Sequence, residues 1–253
     1  MNLKRSTIAI MSVATLTASI YSGVSYMIEA KTQTPPEAEM LEDVDSDTAF
    51  KRESNVEELY TKAMADDIKS KFDSVKGINS DIVGWVFIPD SNVDYPICSG
   101  NDDYYLNYTY DRKKSAAGSI FLDERLLNFS NISMLHGHNM RNGTMFSSLK
   151  KYKDQTYFNN TNVYIYDGEN IRVFKPIGFT KVPQEMNYDL SIKDGPLIQE
   201  YAQEITSNSI HKTSKEITQD DLLILNTCVS DGTNQHYILI TQEIFGGNSN
   251  ADE

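Results

Sequence analysis

Residues 222–228 read Leu-Leu-Ile-Leu-Asn-Thr-Cys, an apolar run that ends in one of the two cysteines of the chain. The turn-forming sequence Val-Ser-Asp-Gly-Thr-Asn follows at residues 229–234. A short apolar run bounded by a turn is typical of a buried strand, so Cys228 is predicted to lie at the strand exit. At that position a thiol can meet a substrate. The alternative interpretation is that Cys228 is a small packing residue, the usual role of a free cysteine.

Further short β-like runs accompany this strand and are separated by turn residues; they lie at 82–89, 93–97, 118–122, 132–135, 163–166, 171–179 and 237–244. Several short strands with such punctuation predict a mostly β domain, either a barrel or a sandwich. Two helices are predicted besides the strands. One begins at the Ser-x-x-Glu capping box of Ser54 and ends near Lys76. The other begins at Asp194-Gly195-Pro196, and its apolar residues up to Ile205 share one face.

The length and charge of the chain limit its class and its partners. The 253 residues suffice for one substantial domain with appendages. Its 36 acidic and 23 basic residues give a formal net charge of −13. Because nucleic-acid binding requires a basic stripe, and the sequence has none, we expect no nucleic-acid partner.

The N-terminus has the pattern of a membrane anchor. Lys4 and Arg5 precede a stretch from Ser6 to Ile28 without a charged residue, long enough to span a hydrocarbon core of about 30 Å. The positive-inside rule then places the N-terminus in the cytoplasm. A cleaved signal peptide is the alternative, but no small-x-small cleavage site stands out, which favours a retained single-pass anchor. The chain is thus predicted to comprise a cytoplasmic tip and anchor (1–28), an acidic spacer (29–53) and an extracellular domain (54–253).

Four histidines are candidate partners for a cysteine nucleophile, which needs a base or a cation because only the thiolate attacks. His211 follows the second helix and is expected to be solvated. His136 and His138 share a face if they lie on a strand, a spacing that suits a metal, but no third ligand stands out. Outside the membrane, Cys98 and Cys228 are the only pair available for a disulfide. If Cys228 is a nucleophile, Cys98 is instead a packing residue.

The sequence Leu-His-Gly-His-Asn-Met at 135–140 resembles the histidine motif of sortases, especially class B, and Ile-Leu-Asn-Thr-Cys at 224–228 is similar to their cysteine motif. Further matches follow the same order at 79–85, 94–96, 102–106 and 118–123, so the resemblance covers most of residues 54–245. It implies an eight-stranded sortase-type β-barrel with an N-terminal helix and an inserted helix around residues 196–208, before the cysteine strand. It also implies a membrane-anchored cysteine transpeptidase without a cofactor.

The resemblance also implies roles for individual residues. In this family the cysteine attacks the peptide bond after the threonine of a C-terminal sorting signal in an exported protein. A thioacyl enzyme forms, and an amine of a cell-wall (peptidoglycan) precursor or of a pilin lysine resolves it. By this resemblance Cys228 is the nucleophile and His138 exchanges protons with the leaving and incoming amines. Asn139, Asn226 and Thr227 flank these two residues and are expected to contact the substrate.

The chain departs from the family at an arginine expected on the strand after the cysteine. Residues 229–253 contain neither arginine nor lysine, and His236 occupies the expected position. Three explanations remain open: a protonated His236 donates to the substrate carbonyl, an arginine from elsewhere (Arg125, Arg141 or Arg172) reaches the site, or activity is impaired. Impaired activity would make the chain a non-catalytic sortase-like domain that assists surface-protein or pilus assembly. A hydrolytic cysteine peptidase is a third class.

Overall fold

The computed structural model describes residues 62–228 and 234–245. The predicted anchor (1–28), the predicted spacer (29–53) and the beginning of the predicted N-terminal helix lie outside these residues. Within them, the helices are all too short or too polar to cross a bilayer.

The described part of the chain is mostly β. The strands are β1 (Ile82–Phe87), β2 (Asp94–Cys98), β3 (Ile120–Leu122), β4 (Ile132–His136), β5 (Val163–Tyr166), β6 (Ile171–Pro183), β7 (His211–Lys212), β8 (Leu222–Cys228) and β9 (Gln235–Phe245). The helices are α1 (62–75), α2 (Asp102–Tyr105), α3 (Gln155–Asn160) and α4 (Gly195–Ile205), with a 3-10 helix at Phe146–Lys153.

Eight of these strands close into a barrel. Their order is β5-β1-β2-β3-β4-β8-β9-β6, and β5 pairs with both β1 and β6, which joins the two ends of the sheet. The short β7 adds to β6 outside the closed ring. Two pairings are parallel, β2 with β3 and β4 with β8, and the other pairings are antiparallel. Closure satisfies the backbone groups that an open sheet would expose at its edges, and the predicted eight-stranded barrel is confirmed.

Residues 222–225 of strand β8 are all apolar because both faces of the strand are covered there. Leu223 and Leu225 pack in the barrel interior. Leu222 and Ile224 alternate to the outer face, where they pack with Ile198 of helix α4. This burial on two sides explains why the apolar run that identified the strand in the sequence is uninterrupted.

Helix α4 covers the outer face of the β4–β8–β9 sheet. Asp194 caps its first turn by accepting a hydrogen bond from Leu197 N, and Pro196 lies in that turn. The buried residues Ile198 and Ala202 are one helical turn apart, so the helix rests on the sheet along one side. The helix ends at Ile205, three residues before the predicted end.

Residues 146–160 form two short helices that no pattern in the sequence predicts. The hydrogen bond from Tyr157 N to Asp154 Oδ1 caps α3, and such a local contact produces no apolar periodicity.

Cys98 lies at the end of β2, where it is a fully buried free thiol. It therefore has the packing role that was predicted for it if Cys228 is a nucleophile.

Candidate active site

Two strand pairings align the predicted catalytic residues in one row. In the parallel pairing of β4 with β8, His136 lies opposite Asn226, and a bond from Gly137 N to Asn226 O (3.2 Å) carries the register past the end of β4. His138 and Cys228 each lie two residues further along. In the antiparallel pairing of β8 with β9, Cys228 lies opposite His236. The backbone thus brings residues 138, 228 and 236 together across neighbouring strands.

Gly137 separates the two histidines because a side chain does not fit at this position. A Cβ atom built on Gly137 would lie 2.4 Å from Ile120 Cδ1 and 2.8 Å from Phe146 Cδ2. Both of these side chains are buried in the barrel interior. The glycine therefore lets the chain pass close to the core while the histidines on either side of it lie on the outer face.

His138 is half-buried and held from two directions. Its ring Nε2 lies 2.8 Å from the carbonyl oxygen of Leu106, which only accepts, so Nε2 carries a proton and donates it. Its own carbonyl accepts from Phe146 N at 3.0 Å. With Nε2 committed to Leu106, Nδ1 is the nitrogen through which this imidazole would exchange a proton with a substrate.

His136 has a partner at each ring nitrogen. Nε2 lies 3.0 Å from Asp123 Oδ2, and Nδ1 lies 3.0 Å from Asn226 Nδ2. Because Nδ2 is a donor, Nδ1 accepts, and the proton of the neutral ring is on Nε2, which donates to Asp123. The ring also stacks on Phe121, with 5.4 Å between centroids. His136 is thus held in one orientation directly beside the strand that ends in Cys228.

A carboxylate–guanidinium pair supports His136 from behind. Arg125 donates from Nε to Asp123 Oδ1 (2.7 Å) and from Nη2 to Oδ2 (2.9 Å). Burial acts to raise the pKa of Asp123, but the hydrogen bonds from Arg125 and His136 outweigh it and hold that pKa well below its usual range. Asp102 faces the same group, and burial raises its pKa to about 6, although the neighbouring His136 acts to lower it.

Asp102, Asp123 and His136 bring atoms of metal-ligand type within 4.8 Å of one another. Both carboxylate oxygens of Asp123 already bond to Arg125, and both nitrogens of His136 have partners. The geometry therefore favours a hydrogen-bonded network over a metal site. The rings of His136 and His138 bond to different groups, so the structure does not bring them together as a pair of metal ligands.

His236 is half-buried on β9, and its pKa is lowered, first by burial and then by the neighbouring His136, while Glu185 opposes the shift. This direction favours a neutral imidazole over the protonated donor considered from the sequence. Such a ring still donates one N–H.

The three arginines considered as replacements lie in different places. Arg172 is buried in ion pairs with Glu243 (2.5 Å) and Asp221 (2.7 Å), next to the opposite end of β8. Arg141 is exposed in the turn after His138. Arg125 reaches the His136 network through Asp123.

The residues expected at the substrate are distributed over both faces of the sheet. Asn226 joins His136, and Asn139 lies in a β-bridge with Met145 immediately after His138. Thr227 alternates to the interior and is only 3% exposed, so the structure does not bring it to the outer face. Asp123 belongs to the segment 118–123 that resembles the family, but no pattern in the sequence indicates its role in the site.

A pocket of about 510 Å³ opens beside Arg125. Its walls come from the β3–β4 connection and from the segment before and within α4; the lining residues are Arg125, Leu126, Asn187, Tyr188, Asp189, Leu190, Ser191 and Tyr201. Arg125 Nη1 ties the two walls together by donating to Asn187 Oδ1 and Tyr188 O. The pocket adjoins the Asp123–His136 network, whereas neither His138 nor His236 lines it.

Comparisons with known proteins identify the family of the chain. The family model of the sortase domain matches residues 86–244, more than half of the chain. Sortase B of Listeria monocytogenes is 29% identical over 187 residues, which cover 67% of this chain and 74% of that protein. Sortase B of Staphylococcus aureus is 27% identical over 169 residues, covering 64% and 68%. A solved structure of Clostridium perfringens sortase B, 29% identical, superposes with a TM-score of 0.63 and covers 68% of this chain and 99% of that one.

Proposed function

Since the chain belongs to the sortase family of transpeptidases, which act on sorting signals, we propose that it is an active, class B-like cysteine transpeptidase. We further propose that it cleaves the C-terminal sorting signal of exported proteins and joins them to an amine of a cell-wall precursor or of a pilin lysine. The observation that carries this proposal is the row of residues 138, 228 and 236 across β4, β8 and β9. The uncharged stretch from Ser6 to Ile28 supports a membrane anchor with the domain outside the cell.

In the proposed reaction the thiolate of Cys228 attacks the carbonyl carbon of the peptide bond after the threonine. The C–N bond breaks, and His138 gives a proton to the leaving amine. The incoming amine then attacks the thioester, His138 takes the proton that this amine loses, and the thiolate is restored. The carbonyl oxygen carries negative charge at both tetrahedral stages, so it needs a donor close to Cys228.

We propose His236 as that donor because its backbone lies opposite Cys228. The lowered pKa of His236 means that it supplies one N–H without a fixed charge. An arginine would offer several donors and a permanent positive charge. Substitution of His236 by arginine is therefore expected to increase the rate of thioacyl formation, and His236→Ala is expected to decrease it.

Trapping the thioacyl enzyme tests the proposal. The full chain in detergent is incubated with a panel of threonine-containing sorting peptides, first without and then with an amine, and the masses of intact protein and products are measured. We expect an adduct on Cys228 that disappears on addition of the amine. Cys98→Ala is the matched control, because it removes the other thiol and should still form the adduct, whereas Cys228→Ala should not. A folded wild-type protein that forms no adduct with any peptide would refute the catalytic proposal.

The missing arginine favours a second candidate, a non-catalytic sortase-like domain that holds sorting peptides during surface-protein or pilus assembly. This domain would bind a peptide in calorimetry but leave it uncleaved. Products formed with each acceptor distinguish the two possible reactions of the active enzyme. A pilin lysine gives isopeptide-linked ladders, and a wall precursor gives a single conjugate.

A further inference from the structure

The ring of His138 is oriented by a segment of the chain that lies outside the active-site row. Its partner is the carbonyl oxygen of Leu106, the residue that directly follows the short helix α2. Carbonyl groups at the end of a helix have no partner within it, so they need one from elsewhere. The imidazole of His138 is that partner. The position of one backbone carbonyl therefore decides which ring nitrogen of His138 carries the proton.

Two hydrogen bonds from Ser119 hold the backbone on both sides of Leu106. Ser119 N donates to Tyr105 O at 2.9 Å, and Ser119 Oγ donates to Tyr108 O at 2.9 Å. The ring of Tyr104 stacks on that of Tyr108, with 4.4 Å between centroids, and joins the two ends of the same turn. Ser119 is buried, which strengthens both of its bonds. Because the carbonyl groups before and after it are anchored, the peptide unit of Leu106 has little freedom to turn.

Gly118 approaches these carbonyl groups more closely than a side chain would allow. A Cβ atom built on Gly118 would lie 2.5 Å from Tyr105 O and 2.7 Å from Leu106 O. A carbon atom and a carbonyl oxygen stay about 3.3–3.6 Å apart even in weak C–H···O contacts. The φ angle of Gly118 is +59°, in the left-handed region that glycine adopts without strain. Any other residue at position 118 would have to push one of the two carbonyl groups away.

We propose that Gly118 and Ser119 are positioning residues for acyl transfer, which hold the Leu106 carbonyl where it keeps a proton on Nε2 of His138. This inference rests on the proposed function. In the proposed reaction Nδ1 gives its proton to the leaving amine and later takes one from the incoming amine, while Nε2 keeps its proton throughout. If the Leu106 carbonyl moves away, the neutral ring can hold its proton on Nδ1 instead. In that form Nδ1 has no lone pair with which to accept the proton of the incoming amine.

NMR spectra of the full chain in detergent identify the protonated nitrogen of His138 without any turnover. Ring 1H–15N correlations are recorded at alkaline pH, where imidazole is neutral, and are assigned by their loss in His138→Gln. The wild type should carry the proton on Nε2, and Gly118→Ala should move a measurable fraction of it to Nδ1. Ser119→Ala adds no atom and removes only the bond to Tyr108 O, so it should fold and show the same change to a smaller extent. A wild type protonated on Nδ1, or a wild-type signal of His138 in both variants, would overturn the proposal.

Steady-state kinetics give a second readout, with a sorting peptide and an amine that the wild type joins. Gly118→Ala should lower kcat about tenfold, because a hydrogen bond of ordinary net strength changes the balance between the two ring forms by about that factor. The KM for the peptide should stay nearly constant, since the change concerns the proton of His138 and adds nothing to the peptide. Ser119→Ala should lower kcat by less than about fivefold. A loss that appears in KM while kcat is retained would contradict the proposed role.

Gly168→Ala is the matched control for backbone strain. Gly168 also has a positive φ, +97°, but a Cβ atom there would have its nearest neighbour, Val83 O, at an ordinary 3.5 Å. This variant should unfold at lower urea concentration than the wild type yet keep the wild-type kcat and the proton on Nε2 of His138. If Gly168→Ala loses kcat as Gly118→Ala does, loss of stability explains both and the positioning role is wrong. If His138 changes its protonated nitrogen as expected but the wild type forms no thioacyl enzyme, the proposed function fails and the role in acyl transfer fails with it, whereas the control of the ring by Gly118 stands.

Discussion

Substitution of Gly137 by alanine is expected to damage the barrel core and the active site together. The added Cβ would lie 2.4 Å from Ile120 Cδ1 and 2.8 Å from Phe146 Cδ2, whereas carbon atoms pack at about 3.5–4.0 Å. Both neighbours are at most 1% exposed, so neither can turn towards solvent. Overpacking of this kind costs about 1–3 kcal/mol, which for a domain of this size corresponds to a decrease of about 2–12 °C in Tm.

A double-mutant cycle identifies the atom that is responsible. Ile120→Val removes Cδ1, the closest atom, and costs about 0.5–1.5 kcal/mol by itself because it leaves a small cavity. In the Gly137→Ala background the same change relieves the contact, so it should cost less or be stabilising, with a coupling energy of at least about 0.5 kcal/mol. The expected sign of this coupling follows from the structure alone.

Urea unfolding of the four proteins measures the cycle, and the rate of thioacyl formation measures displacement of the flanking histidines. Gly77→Ala is the matched control, because a Cβ at Gly77 has no atom within 4 Å and should leave stability nearly unchanged. If the two substitutions at 120 and 137 prove additive, the steric explanation of the glycine is wrong. If stability falls without any change in the thioacyl rate, Gly137 does not position the histidines.

Three further predictions concern charge and burial. Arg172→Met should destabilise the fold by about 3–5 kcal/mol in urea unfolding, because it leaves Glu243 buried without its cation. The control is Lys69→Met, which breaks the exposed ion pair with Asp73 and should cost less than about 1 kcal/mol. Similar losses in both variants would contradict this reasoning. Burial raises the pKa of Asp102 to about 6, above its unfolded value of about 3.9. The free energy of unfolding of the wild type should therefore fall as pH rises from 4 to 6. Asp102→Asn should lack this slope when unfolding is measured across that range. Burial also raises the pKa of Cys98 to about 12, so iodoacetamide at pH 8 should label it in urea but not in the folded chain, as read by mass spectrometry.

The strands were predictable because their signals are local. Turn residues separate the runs, and residues 222–225 are buried on both faces of the sheet, which is why they show no alternation. Closure of the barrel depends on β5 pairing with both β1 and β6, a property of distant segments that no local pattern reveals. From local signals alone a sandwich was equally open, and only the family resemblance distinguished the two. Helix α3 was missed because a side-chain cap, rather than an apolar stripe, defines it, and the 3-10 helix at Phe146–Lys153 has no side-chain cap at all.

The active-site row was predicted only in part for a similar reason. Cys228 and His138 lie in recognisable motifs, but the bonds that orient the neighbouring His136 join it to Asp123, 13 residues away, and to Asn226, 90 residues away. The parallel pairing of β4 with β8 creates the second of these contacts, and sequence separation hides it. Thr227 was grouped with Asn226 because the two are adjacent in the motif, whereas alternation along the strand sends them to opposite faces.

The charge at the active-site row depends on the protonation of His236. Burial and then the neighbouring His136 lower the pKa of His236, which favours the neutral ring with one N–H to donate. Arg125 is paired with Asp123 and supplies no free charge in place of the missing arginine. Positive charge near Cys228 therefore depends on proton binding to His236, and activity should depend on pH more steeply here than in a site with a permanent guanidinium.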